Sequence, residues 1–196
     1  LYQPANMQAP VRGESDIKLG FTGSGKSMAD LVHSLAGEGA LTIENPAIAG
    51  LNITAMPEML RQSDELTGPG KASLEPKQAE AERTKLSHAL TQGGQMNANP
   101  VQALLSLAGG ILRAPSVKIE SDQAVLRTDI QFDLNRFAWG GSGALDMVLP
   151  QHERNDVAPQ VQFALSGSWG QPQIRFDYQP MVQFLTQRSL LREQLR

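Results

Sequence analysis

The chain has no cysteine and is poor in aromatic residues (5%) and charged residues (19%) over its 196 positions. Without cysteine, disulfides, thiolate metal sites and cysteine nucleophiles are excluded. The net charge of -3 does not indicate a basic surface for binding the phosphate backbone of a nucleic acid, so the sequence does not favour a nucleic-acid partner. No apolar run approaches the roughly 18 residues that a membrane-spanning helix needs, so we expect a soluble piece. Because the chain begins at Leu1 without a basic and apolar leader, we expect any targeting or anchoring segment to lie outside it.

Hydrophobic residues make up 40% of the chain, which is enough for one sizeable core. An alternation of apolar and polar side chains, typical of half-buried strands, begins at Ser15 and recurs over residues 126–134, 145–149, 161–165 and 174–178. Since the connections between the later strands are too short for parallel crossovers, we expect antiparallel neighbours. The predicted fold is α+β: an antiparallel sheet with one apolar, groove-like face that several amphipathic helices cover.

The apolar spacing of other segments is helical. Ser27 followed by Asp30 predicts the capped start of a helix at residue 28. The further predicted helices cover residues 58–62, 76–92, 101–108 and 180–195. Residues 44–47, Glu-Asn-Pro-Ala, are prone to turn and predict a hairpin between two short strands.

The predicted domain organisation is simple. We expect an N-terminal extension over residues 1–14 and a single domain over residues 15–196. Within that domain, residues 63–75 contain Gly-Pro-Gly and predict a flexible connection.

One motif points to nucleotide binding. Residues 20–27, GFTGSGKS, match the phosphate-loop pattern at every position; Gly20 and Gly25 would shape the loop, Lys26 would reach the outer phosphates and Ser27 would hold Mg²⁺. The context opposes this, because the preceding strand alternates instead of being apolar on both faces, and no aspartate follows four apolar residues. We therefore favour a structural interpretation, in which the glycines join strand to helix and Ser27 caps the helix. Nucleotide binding stays as an alternative.

No other constellation indicates a reaction centre. His33, His88 and His152 have no companions at ligand spacing, so we expect no metal site. The sequence also lacks a nucleophile elbow and a catalytic carboxylate pair in a suitable context. We expect a protein that is not an enzyme and that needs no cofactor.

Several residues are candidates for contact with lipid or a protein partner. Arg188, Arg192 and Arg196 recur every four residues on the last predicted helix, and this basic stripe fits either a solvated face or anionic headgroups. Phe132 and Phe163 lie on the apolar side of their strands. The two tryptophans, Trp139 and Trp169, flank glycine-rich turns, where packing or contact is their expected role.

The order of these segments resembles the C-terminal region of the AsmA family of bacterial envelope proteins. The first block of similarity comprises SMADL at 27–31, LAG at 35–37, GALTI at 39–43 and IAGLN at 48–52. The second block comprises residues 126–134, GSGALD at 141–146, LSG at 165–167, FDYQP at 176–180 and FLTQR at 184–188. The resemblance covers most of residues 15–195.

The resemblance implies a protein of the Gram-negative envelope, with its bulk in the periplasm and an inner-membrane anchor outside this chain. It further implies a non-enzymatic role in outer-membrane biogenesis, with transfer of phospholipid between membranes and contacts to other envelope proteins. Two alternatives stay open: a nucleotide-binding protein that uses residues 20–27, and a structural end-cap that closes the sheet edge of a longer β-groove.

Overall fold

The computed structural model describes residues 11–66, 76–149 and 159–194, and its main feature is one nine-stranded antiparallel sheet. The strands are β1 (Val11–Thr22), β2 (Ala36–Ala49), β3 (Gln95–Asn97), β4 (Val101–Ala108), β5 (Ile111–Glu120), β6 (Ala124–Asp133), β7 (Ala138–Met147), β8 (Gln160–Ser168) and β9 (Gln171–Asp177). They lie in the order β1-β2-β4-β5-β6-β7-β8-β9, and β3 pairs with the last residues of β2. The antiparallel α+β class is confirmed.

The helices are α1 (Met28–Ser34), α2 (Met56–Glu65), α3 (Pro76–His88) and α4 (Gln179–Gln194). As predicted, the Ser27 hydroxyl caps α1 by accepting the Asp30 amide at 3.1 Å. The helix predicted at 58–62 is longer than expected, because α2 includes residues 63–65 of the predicted connection. Residues 67–75 of that connection, and residues 1–10 of the predicted extension, lie outside the described residues. Residues 11–14 belong to β1.

The helix predicted at residues 101–108 is wrong, since this segment is strand β4. Burial alternates along it, with Val101, Ala103, Leu105 and Leu107 buried. The sequence VQALLSLA fits both the two-residue period of a strand and the period of a helix. The helical interpretation placed Leu104 in the core, whereas the structure leaves it 75% exposed. Pairing of β4 with β2 and β5 decides for the strand, because local periodicity alone cannot separate the two in so short a run.

The hairpin predicted through residues 44–47 is also wrong. Asn45 takes a positive φ of 49°, yet the chain continues through it as one long strand, β2. The pairing of β1 with β2 shifts register between Arg12 and Glu14, opposite this irregularity. The turn-prone residues therefore bend a strand instead of reversing it.

The main core joins α2, α3 and α4 to one face of the sheet. Buried residues of the helices, such as Met59, Phe184 and Leu185, form one cluster with buried strand residues. We call the sheet face that meets this cluster the core face; it carries Val101, Val117, Leu126, Leu145 and Val161. The opposite, outer face carries the cross-strand row Lys118, Arg127, Ala144 and Gln162.

The connections between strands separate the two ends of the sheet. All of α2, α3 and β3 lie between β2 and β4, and α4 follows β9, so these elements gather at what we call the helical end. The opposite, turn end carries the connections at residues 23–35, 109–110, 134–137 and 169–170. Of the α-helices in the described parts of the chain, only the short α1 lies at the turn end.

Candidate functional site

The core face continues from the helical end to the turn end, beyond the main core. The turn-end half of the core face carries a row of apolar side chains that the register aligns: Leu19, Phe21, Leu105, Leu107, Leu112, Ile130, Phe132, Trp139, Leu165 and Ile174. Leu105, Leu107 and Phe132 are buried, although they stand outside the main core cluster. Towards the two sheet edges, Phe21 and Ile174 are exposed. This half is therefore apolar and only partly covered.

Glycines interrupt the core face on two strands, at Gly37 and Gly39 of β2 and at Gly141 and Gly143 of β7. A Cβ atom on Gly39 would meet the backbone carbonyl of the neighbouring strand β1. A Cβ atom on Gly143 would lie 2.5 Å from the Phe163 ring and would also meet a backbone carbonyl of β6. A side chain at these positions would require the backbone to move, which is how glycine in a strand marks a sharp bend or a close approach.

An aromatic cluster occupies the turn end of β6, β7 and β8. Trp139 and Trp169 stack with ring centroids 5.5 Å apart and an interplanar angle of 16°. Phe132 contacts both, at 4.7 and 5.1 Å, and Phe137 contacts Phe132 edge to face at 6.3 Å. Each such ring pair contributes about 1 kcal/mol of stabilisation beyond that from apolar burial. These contacts therefore hold the exposed rings of the cluster in place.

The Gly-Lys-Ser loop lies between the edge strand β1 and α1. Its amides are engaged locally: Ser24 N donates to Ser34 Oγ at 2.7 Å, and Leu31 N donates to the Ser27 carbonyl at 2.9 Å. A Cβ atom on Gly25 would collide with the backbone of Leu31, so this glycine lets α1 pack back on the loop. A phosphate loop normally follows a central parallel strand, and the observed position on an antiparallel edge gives the nucleotide alternative no support.

The predicted basic stripe of α4 changes character at Arg188. The structure buries this side chain, and its Nε and Nη2 each donate to a carboxylate oxygen of Asp64 on α2 at 3.2 Å. Arg188 therefore joins α4 to α2 and does not face solvent as a headgroup contact would. The Arg192 side chain and Arg196 lie outside the described residues. Of the other contact candidates, Phe132 is buried and Phe163 is half-buried, and both lie on the core face.

Two buried polar groups of the helical core have no hydrogen-bond partner among the described residues, and sequence reasoning did not identify them. They are the Nε of Arg83 on α3, a residue that is 5% exposed, and the hydroxyl of Ser63 on α2, which is fully buried. Burial lowers the pKa of the Arg83 guanidinium from its usual value, because the charged form loses hydration. The spacing Ala79, Arg83 and Ser87 would have placed Arg83 on the inner stripe of α3.

The histidines are separated from one another in the part of the chain that is described. His33 is exposed on α1, His88 stacks on Tyr178 at 4.0 Å, and His152 lies outside the described residues. Within residues 11–66, 76–149 and 159–194, no three His, Asp or Glu side chains lie together in a way that could hold a metal ion. Over the same residues, no helix combines the length and apolar character needed to cross a bilayer.

A depression of about 500 Å³ is lined by residues of four adjacent strands, β5 to β8. Lys118, Arg127 and Gln162 are among its lining side chains. Both cations already have carboxylate partners, since Arg127 pairs with Asp146, and Lys118 lies 2.6 Å from Glu120. The depression therefore offers little net positive charge to an anionic ligand.

The residues that gather at the turn end are distant in sequence. The pattern placed Trp139 and Trp169 beside turns but could not show that they stack, because contacts between neighbouring hairpins depend on register.

Comparison of the chain with protein-family models, with curated proteins and with solved structures finds no match.

Proposed function

We propose that the chain is a non-enzymatic lipid-binding module of an AsmA-like envelope protein. In this proposal the turn-end half of the core face receives the acyl chains of a phospholipid. The observation that supports it most strongly is the row of apolar side chains there, which glycines interrupt on β2 and β7. The row lies outside the helix-packed core and is exposed at Phe21 and Ile174. Burial of apolar surface releases about 25 cal/mol per Å², so a partly covered row of this kind favours an apolar ligand.

The glycine positions support a groove. Gly37 and Gly39 lie on the second strand from one edge, and Gly141 and Gly143 lie on the third strand from the other. Sheets curl where glycines let neighbouring strands approach closely. Two such lines would turn both margins of the sheet inward over its centre, with the apolar segments of the three strands between them, β4, β5 and β6, as the floor.

The cellular setting of the proposal comes from the AsmA resemblance. The module would lie in the periplasm of a Gram-negative bacterium, anchored to the inner membrane by a segment outside this chain. It would support outer-membrane biogenesis by taking part in phospholipid transport, with other envelope proteins as further partners.

The test is whether lipid stays with the purified protein. Ile174 belongs to the apolar row on the edge strand β9, and Ile17 lies on the same face of the other edge strand, two residues before the row member Leu19. Both side chains are exposed, so I17E/I174E charges the row and its border without emptying the core. The matched control is Leu104→Glu, since Leu104 is 75% exposed on the outer face of β4. Native mass spectrometry should find phospholipid with the wild type and with L104E, and much less with I17E/I174E. Equal lipid on all three proteins, or none on the wild type, would contradict the proposal.

A second candidate function, an end-cap of a longer β-groove, is favoured by one observation. Strand β1 pairs with β2 alone among the described residues, and eleven of its twelve residues are exposed, all but Leu19. A free edge of this length can accept another strand. In the lipid assay the end-cap predicts no bound phospholipid on the wild type, so the same experiment separates the two.

A further inference from the structure

We propose that the turn end is a membrane-docking rim that inserts into the surface of a phospholipid bilayer. The inference rests on the proposed lipid-binding function and places the entrance of the groove at the turn end. We define the rim by the exposed side chains Phe21, Met28, Phe137 and Trp169. They are 60%, 75%, 61% and 53% exposed, respectively.

The rim residues lie at the same end of the sheet, at three separate connections. Phe21 is the next-to-last residue of β1 and Met28 begins α1, so both belong to the β1–β2 connection or its border, whereas Phe137 lies in the β6–β7 turn and Trp169 in the β8–β9 turn. Glycines 23, 25, 140, 167 and 170 lie within a few residues of them. Separate apolar side chains on several loop tips at one end of a sheet are suited to insertion among lipid headgroups, whereas protein interfaces bury a contiguous core.

Backbone conformation and ring contacts hold the exposed rings of the rim in place. Phe137 takes a positive φ of 48°, which is unusual for a bulky residue, and its ring contacts Phe132 of β6 edge to face at 6.3 Å. Trp169 is fixed by its stack on Trp139 and its contact with Phe132. Tryptophan and phenylalanine lower the free energy of a protein at the boundary between headgroups and acyl chains.

Cations stand next to these apolar side chains. Lys26 is two residues from Met28, and Arg136 precedes Phe137; both are exposed. Arg136 reaches Asp133 only at 4.0 Å and its side chain is 84% exposed, so it is available to a lipid phosphate. Long cationic side chains can bury their stems while their charged groups stay among the headgroups.

The position of the rim agrees with its proposed role. The helical end of the sheet is packed by α2, α3 and α4, so acyl chains would enter the core face from the turn end. The rim residue Phe21 and the cluster member Trp139 also belong to the apolar row of the core face. A bilayer docked on the rim would thus be continuous with the proposed groove.

Intrinsic tryptophan fluorescence tests the rim directly, because both tryptophans of the sequence belong to the aromatic cluster. Vesicles of phosphatidylethanolamine and phosphatidylglycerol should shift the emission of the wild type to shorter wavelength, and brominated acyl chains should quench it. The variant M28S/F137N should bind these vesicles about tenfold more weakly, since it removes two exposed apolar anchors. Asparagine accepts a positive φ, so this variant keeps the turn. Leu104→Ser, equally exposed but on the outer face, should bind like the wild type.

Equal vesicle binding by M28S/F137N and the wild type would overturn the rim, as would a fluorescence shift that depends on protein concentration without vesicles and so reports a second copy. The lipid found by native mass spectrometry is measured without vesicles, which keeps the two proposals separable. Vesicle docking without co-purified lipid would leave the rim supported and the groove contradicted. Co-purified lipid without vesicle docking would do the opposite.

Discussion

At the scale of single residues, the glycines of β7 show how the two sheet faces differ. Gly143 lies on the core face, where an added methyl group would meet the Phe163 ring and a backbone carbonyl. Gly140 lies on the outer face, where the nearest atom is the end of the flexible Gln131 side chain at 3.1 Å. The same substitution should therefore have different consequences at positions three residues apart.

We expect Gly143→Ala to lower the free energy of unfolding by about 2 kcal/mol, because overpacking against backbone cannot relax. Gly140→Ala should change it by less than about 0.5 kcal/mol, since Gln131 can move aside. Urea denaturation followed by circular dichroism measures both. Equal stability of G143A and G140A would contradict the close approach of the Phe163 ring and the β6 backbone to Gly143.

At the scale of elements, the described residues of the α2–α3–α4 core include two buried arginines in opposite situations. The Nε of Arg188 lies 3.2 Å from a carboxylate oxygen of Asp64, whereas the Nε of Arg83 has no hydrogen-bond partner among the described residues, and burial lowers the pKa of its guanidinium. A lowered arginine pKa means that folding disfavours the charged form, so the charge of Arg83 opposes folding at neutral pH.

Arg188→Met should reduce the free energy of unfolding by about 3 kcal/mol, because it leaves the mostly buried Asp64 carboxylate without this cation. Arg83→Met keeps the apolar stem and removes the disfavoured charge, so its thermal midpoint should equal or exceed that of the wild type. Differential scanning calorimetry of the two variants provides the comparison. Similar losses of stability in both would show that Arg83 has a compensating partner.

The secondary structure of an element was predictable from the sequence where residues within that element determine it. The alternation in β6 over residues 126–133 and the Ser27 cap of α1 each depend on neighbours within the same segment, and both predictions are confirmed. The segment 101–108 was mispredicted because its apolar residues satisfy both periods until β2 pairs with it. Residues 44–47 were mispredicted because turn-prone residues can also make a bulge when the strand has a partner on each side.

The candidate site was less accessible to sequence reasoning. Phe132 and Phe163 were placed on the apolar side of their strands by alternation, and the register agrees. The burial of Arg188 could not be predicted, since its partner Asp64 lies 124 residues away and helical spacing does not show which face meets α2. The turn-end cluster likewise depends on the register of three hairpins.

At the scale of the whole molecule, the two ends of one sheet have different surroundings. The helical end packs its apolar side chains against α2, α3 and α4, while the turn end leaves apolar side chains of the same face partly uncovered. Our proposals assign the first end to stability and the second to lipid. This division predicts that a ligand contacts one face of the sheet and one half of that face.

The most direct measurement uses two adjacent residues of β8 that point to opposite faces. Leu165 is half-buried on the core face at the turn end, and Ser166 is exposed on the outer face. A photoreactive amino acid is placed at either position, the protein is irradiated in cells, and phospholipid adducts are identified by mass spectrometry. Our proposal predicts phospholipid adducts at position 165 and none at position 166. The absence of adducts at 165, or equal yields at both positions, would contradict it.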